Sequence, residues 1–185
     1  LRVSYVGELG WELHVASEHL PKLYHAVWHT GEEHGICNFG SYALNAMRIE
    51  KGYHGWGADF GTEYTLFDAG LSKFANMSKG SFTGRDAVAR QSAKAPAWEF
   101  IGLEIIDPGS EPLPSDPIVK HGQAIGYLTS VSMGYRTGKL LALGYVEYGT
   151  LAMEETCHVQ AFGEMRAARR HAHHVYDPAN DKLRA

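Results

Sequence analysis

Apolar side chains alternate along both arms of residues 1–16, at Leu1, Val3 and Tyr5 and again at Trp11, Leu13 and Val15. A period of two is the pattern of a half-buried strand. Between the arms lies Gly7-Glu8-Leu9-Gly10, a turn with glycine at both shoulders. The pattern predicts a β-hairpin. With Glu8 and Leu9 as a two-residue tip, Val6 falls opposite Trp11 and Tyr5 opposite Glu12. Directly opposed residues share a face of the sheet, so this register sets a phenol beside a carboxylate. On the pattern alone, Tyr5 reads as an ordinary strand aromatic and Glu12 as a solvated edge charge.

Helical spacing follows. Ser17 is a candidate N-cap with Glu18 in the first turn, and Leu20, Leu23, Tyr24, Val27 and Trp28 make one apolar face. Pro21 is tolerated only near the helix start, and Gly31 and Gly35 close it. Residues 36–39 form a short apolar link with strand character. Residues 40–50 predict a second helix with Ala43, Leu44 and Met47 facing inward. Gly52, Gly55, Gly57 and Gly61 then crowd a loop with Tyr53, Trp56 and Phe60, which suits tight turns over an aromatic floor. A third helix is expected over residues 86–91.

The texture changes at residues 92–96, Ser-Ala-Lys-Ala-Pro, small and polar and ended by proline. Beyond them the chain reads as short strands at 100–106, 118–119, 124–131, 140–146 and 158–162. His121-Gly122 and Phe162-Gly163-Glu164 look like hairpin tips. Two units are therefore expected, residues 1–91 and 92–185, the second a small all-β barrel or sandwich.

Composition narrows the function. With 44% hydrophobic and 21% charged residues and a net charge of -4, the chain has no basic footprint for nucleic acid. No apolar run reaches the roughly 18 residues of a membrane span. Cys37 and Cys157 stand far apart and read as free buried thiols, which favours a reducing compartment. His171, His173 and His174 invite a metal, but strand alternation splits them between two faces, so no metal site is assigned. No glycine-rich phosphate loop follows a strand, so no flavin or nicotinamide site is expected in these residues. The chain opens on Leu1 in mid-pattern and reads as a fragment.

The runs SYVGELGWELHV and HGICNFGSYALNAMRIEKGYHGWGADF resemble the folate-binding module of the glycine-cleavage T-protein (aminomethyltransferase) superfamily. The nearer likeness is the branch fused to flavoenzymes, the dimethylglycine and sarcosine dehydrogenases. It continues through TLFDAGLSKF, SFTGRDAVARQ, IGYLTSVSMGYRTGKLLALGYV and HVYDPANDKLR, in order and over nearly the whole chain. The resemblance implies an α+β fold, with the C-terminal half of a partial ferredoxin-like folate-binding domain in residues 1–91 and the family's β-barrel in residues 92–185. It implies that Tyr5 and Glu12 contact a reduced folate. A carboxylate suits the pterin edge, which offers an N–H and an amino group together. A tyrosine can pack on the ring or donate to it.

Other positions in the matched motifs carry less. Glu8 reads as structural or solvent-facing. Arg48 and Glu50, at the end of the second helix, read as local ion pairs. Asp59 and Arg85 read as loop-holding groups bonded to backbone. T-proteins proper carry a folate-contacting arginine four residues before the arginine of this helix; here that position is Leu44, which argues against a plain T-protein. The tyrosine that T-proteins use near the C-terminus corresponds to Asp181, and Tyr176 does not match in register.

In the fused enzymes a flavin domain oxidises an N-methyl amine to an iminium. N5 of tetrahydrofolate attacks the iminium carbon, the amine leaves, and N10 closes the ring to give 5,10-methylenetetrahydrofolate. The family's assisting aspartate lies upstream of the residues seen here, so no catalytic residue is named in this chain, and no turnover is expected of it alone. FAD is expected only in an upstream domain. The expected partners are tetrahydrofolate and the upstream flavin and folate-domain segments, with homo-oligomerisation open and a cytoplasmic or mitochondrial-matrix location. The alternatives are a piece of a stand-alone aminomethyltransferase, a sulfonium demethylase, or a non-catalytic folate- or protein-binding module.

Overall fold

In the computed structural model, which describes all residues except Pro108 and His173, three helices precede six strands and a short helix follows them. Helix α1 spans Leu20–Gly31, α2 Ser41–Glu50, α3 Arg85–Ser92 and the short α4 Asp181–Arg184. Pro21 sits in the first turn of α1, where its missing N–H costs no intrahelical bond. A 3₁₀ turn, Glu32–His34, extends α1 to Gly35, which adopts φ +72°.

The strands are β1 Trp98–Ile105, β2 Pro117–Lys120, β3 Gln123–Gly134, β4 Lys139–Glu147, β5 Thr156–Ala161 and β6 Glu164–His171. They close into a six-stranded antiparallel barrel in the order β1-β4-β3-β2-β5-β6. Both predicted tips are two-residue hairpin turns. His121 and Gly122 have φ +51° and +78°, and Phe162 and Gly163 have +51° and +83°. Two consecutive positive φ values are the type I′ geometry, whose twist matches that of the strands it joins.

The barrel interior is filled by alternate residues, among them Ile101, Leu103, Ile105, Leu128, Ala142, Val146 and Val159. On β1 and β4 the other face is buried as well. Phe100, Leu141, Leu143 and Tyr145 form a second apolar cluster with Ile49 of α2. Residues from α2 onward thus cover one wall of the barrel, and this wall carries the site described below.

Several expectations are corrected. No strand forms in residues 1–16 or 36–39. One reciprocal pair of backbone hydrogen bonds joins Leu1 to Glu12, each 2.8 Å, and Gly10 lies against Val3 and Ser4. The register is therefore four residues away from the predicted one, and Glu12 faces Leu1 instead of Tyr5. The reason lies at Gly7 and Glu8: Gly7, at φ +75°, packs against the Lys51 side chain, and Glu8 is drawn into an ion pair. The intervening residues become a wide bend, not a two-residue tip. In α2 the buried residues are Ala46, Arg48, Ile49 and Glu50, while Ala43 is exposed. Cys37 is exposed and only Cys157 is buried; burial pushes the Cys157 thiol up to about 11.

Candidate functional site

Two carboxylates fasten residues 41–60 to the barrel. Asp59 is fully buried and forms an ion pair with Arg48, which reaches it across the loop from α2. It also accepts hydrogen bonds from the Gly55 N–H at 2.7 Å and from the hydroxyls of Thr129 and Ser130, each at 2.6 Å. Thr129 and Ser130 are consecutive, so a regular strand would aim them to opposite faces. The pairing of β3 with β4 slips between Leu128 and Ser130, and Thr129 is the extra residue of a bulge. A bulge re-aims side chains, which lets both hydroxyls meet one carboxylate. Asp59 thus holds its loop, as expected, but most of its partners are side chains. Arg85 donates to the Met77 carbonyl at 3.3 Å, also a loop contact.

Glu50, 1% exposed, governs the turn between β3 and β4. Its Oε1 accepts the backbone N–H groups of Arg136 and Thr137, at 2.8 and 2.9 Å, and its Oε2 accepts from Arg136 Nε at 2.6 Å. Glu50 therefore pairs far along the chain, whereas Arg48 also donates locally, to Asn45 Oδ1 at 2.9 Å and to the Tyr53 carbonyl at 3.0 Å.

Arg136 reaches from this turn to residues 1–16. Its Nη1 donates to the Val6 carbonyl and to Glu8 Oε1, each at 2.9 Å, and its Nη2 donates to the Met47 carbonyl at 2.7 Å. The guanidinium lies 3.8 Å from the centre of the Tyr176 ring, within cation–π range. The Tyr176 hydroxyl donates to Glu8 at 2.5 Å, and that bond is the main cause that raises its pKa. Beside it Lys51, 0% exposed, donates to the Asp177 carbonyl at 2.5 Å and pairs with the Asp177 carboxylate at 3.2 Å. Glu8 is thus structural, one of the two roles its position allowed.

Tyr5 and Glu12 lie in different surroundings. The Tyr5 hydroxyl donates to the His54 carbonyl at 2.7 Å, and its ring stacks with Tyr53 at 6.3 Å. Partial burial raises the Tyr5 pKa. The aromatic floor continues through His54, Phe60 and Phe100, with His54 stacked on Phe100 at 4.0 Å. Glu12 borders an open groove of about 460 Å³ that Leu1, Leu13, His14, Val15 and Leu23 also line. Its Oε2 lies 3.1 Å from His14 Nε2, and the carboxylate is otherwise turned to solvent. What these two residues offer is acceptors, the complement that paired N–H donors on a ligand edge would need. Glu12 keeps accepting capacity on an open face, and Tyr5, with its proton committed to a carbonyl, offers a ring and lone pairs.

The His174 ring is 2.6 Å from the Lys51 carbonyl, and His173 lies outside the described residues. No group of three metal-ligating side chains occurs among the described residues. No helix among them is long and apolar enough to cross a membrane.

Arg136, Lys51 and Asp68 were not singled out by the sequence reading. Asp68 accepts from the N–H groups of Thr65, Ala97 and Trp98, at 2.9, 3.0 and 3.0 Å, and so ties its loop to the start of β1. Local pattern gives no signal for these residues, because a charge in a turn or at a helix end reads as solvated. Their partners stand up to about 130 positions away along the chain.

A small closed antiparallel barrel, walled on one side by a helix and a glycine-aromatic loop, defines the fold class. The family model of the GCVT N-terminal domain matches residues 1–79, and that of the glycine cleavage T-protein C-terminal barrel domain matches residues 99–177. The chain belongs to the aminomethyltransferase (glycine cleavage T-protein) superfamily. It is 34% identical over 165 residues to the mitochondrial dimethylglycine dehydrogenase of Rattus norvegicus, covering 89% of this chain and 19% of the relative. It is 32% identical over 168 residues to the aminomethyltransferase of Moorella thermoacetica, covering 91% of this chain and 46% of the relative. Among solved structures, the glycine cleavage system aminomethyltransferase T of Bartonella henselae superposes with a TM-score of 0.83 at 22% identity, over 95% of this chain and 49% of that one. The chain thus spans about half the length of these aminomethyltransferases and about a fifth of the dehydrogenase.

Proposed function

We propose that this chain is the tetrahydrofolate-binding part of a one-carbon transferase that accepts a methylene unit from N-methyl amine oxidation. In this reading, Glu12 accepts the paired donors of the pterin edge and Tyr5 packs against the ring or bonds to it. The observation that supports it most is the open Glu12 carboxylate at the groove beside α1, in a chain whose family works on folate. Both family regions occur in sequence order, and the match to dimethylglycine dehydrogenase covers 89% of the chain. Tetrahydrofolate supplies the nucleophilic nitrogens when bound. The chain's own residues bind it and orient it. FAD belongs to a separate flavin domain of the parent protein, located in the cytoplasm or the mitochondrial matrix.

Anaerobic equilibrium dialysis with tetrahydrofolate tests the reading. Saturable binding with one site per chain, competed by 5-formyltetrahydrofolate, is expected. Absence of saturable binding at millimolar ligand contradicts it.

A further inference from the structure

We infer that Arg136, a residue of the barrel, is a positioning residue for the folate-contacting segment. The inference rests on the folate reading for its functional half and on the observed contacts for its structural half. Residues 1–16 have no strand ladder to hold them. Their internal backbone bonding among the described residues is the Leu1–Glu12 pair at one end of the bend. The bend between Tyr5 and Glu12 must therefore be held from outside.

Arg136 supplies two of those outside bonds, beside the Tyr5–His54 and Tyr176–Glu8 bonds, and is the one that spans Gly7. One guanidinium bonds the Val6 carbonyl and the Glu8 carboxylate, on either side of Gly7. Gly7, at φ +75°, has no side chain to restrict its own backbone, so fixing both neighbours fixes the bend around it. The guanidinium is itself immobilised by Glu50 on Nε, by the Met47 carbonyl on Nη2 and by the Tyr176 ring on its face. Its backbone is fixed by the same Glu50 carboxylate. A planar fork with several fixed donors fits this set of acceptors, whereas a lysine ammonium is a point charge on a flexible stem. The tether runs from the barrel region, 99–177, to the folate-domain region, 1–79. The barrel thus sets where Tyr5 and Glu12 stand without touching the ligand.

The test uses a nitroxide at Leu9→Cys in a Cys37→Ser background, since Cys157 is buried, with a second nitroxide at Tyr148→Cys as the barrel reference. Arg136→Met should shorten the rotational correlation time at position 9 severalfold and leave position 148 unchanged. Arg136→Lys should fall between. Glu8→Gln, which leaves the Glu50–Arg136 anchor intact, should loosen position 9 to a smaller degree and serves should Arg136→Met fail to fold. Arg136→Met should also weaken tetrahydrofolate binding about tenfold, and in a Glu12→Gln background it should add little, because both act through one contact. Unchanged mobility at position 9, or equal loosening at both positions, overturns the positioning role; so does a fully additive loss of affinity. If the unaltered chain binds no tetrahydrofolate, the folate reading fails while the mobility result still decides whether Arg136 holds the segment.

Discussion

Asp59 and Arg48 show how much one residue pair can carry. Both are buried, and the carboxylate also satisfies Thr129, Ser130 and the Gly55 N–H. Removing one partner of such a pair leaves an uncompensated charge, at a cost of about 3–5 kcal/mol. Asp59→Asn should lower the denaturant midpoint by that equivalent, read by urea unfolding followed by circular dichroism. A loss under about 1 kcal/mol would mean the pair is not buried as described. Asp68 gives a pH signature. Burial pushes its carboxyl up, but hydrogen bonds from the Thr65 hydroxyl and from the Trp98, Thr65 and Ala97 N–H groups outweigh this and hold it below the usual carboxylate range. A depressed native pKa contributes stability that is full above the unfolded value, near 3.9, and is lost as pH falls through the native one. Asp68→Asn should therefore lower the melting temperature at neutral pH, and the gap to the unaltered chain should narrow below about pH 4. A gap that stays constant down to about pH 2 would contradict this.

At the scale of elements, what was legible divides by range. Helices α1, α2 and α3 and both I′ tips were readable because apolar spacing, an early proline and positive-φ glycine act locally. Ser17, however, makes no capping bond: it opens a 3₁₀ turn, Ser17–His19, ahead of α1. The double burial of β4 was not, because its outer face depends on α2, which lies about 90 residues earlier. The hairpin misled for the same reason. The alternation in residues 1–16 is real, but pairing is decided by Lys51 and Arg136, which lie elsewhere. At the site, Tyr5 and Glu12 came from the resemblance, and the pattern that linked them to each other has no counterpart in the structure. The alternation still has a physical consequence. Trp11 is 64% exposed, and Leu1, Leu13, Leu20, Tyr24 and Val27 are exposed with it. Large contiguous apolar surface is rare on a lone chain. Light scattering on the isolated chain should show concentration-dependent association with binding of an apolar dye. A clean monomer without dye binding would count against an uncovered face.

For the whole molecule, the two regions are joined by a short link and by buried polar contacts. Residues 92–95 are exposed. Trypsin should cut first after Lys94, which would support a boundary between residues 91 and 98. The Asp59 bonds to Thr129 and Ser130 and the Arg136–Glu50 pair should keep the two pieces together in gel filtration afterwards. Pieces that separate at once would show that these contacts do not hold the halves.

The central claim, that Glu12 reads the pterin edge, is tested most directly by isothermal titration of tetrahydrofolate into Glu12→Gln and the unaltered chain under anaerobic conditions. The amide keeps the size but turns one acceptor into a donor facing a donor. A charged hydrogen bond contributes about 1.5–3 kcal/mol, so the dissociation constant should rise about tenfold or more, while Glu18→Gln leaves it unchanged. A dissociation constant within twofold of the unaltered chain would contradict the assignment and leave Glu12 a solvated edge charge.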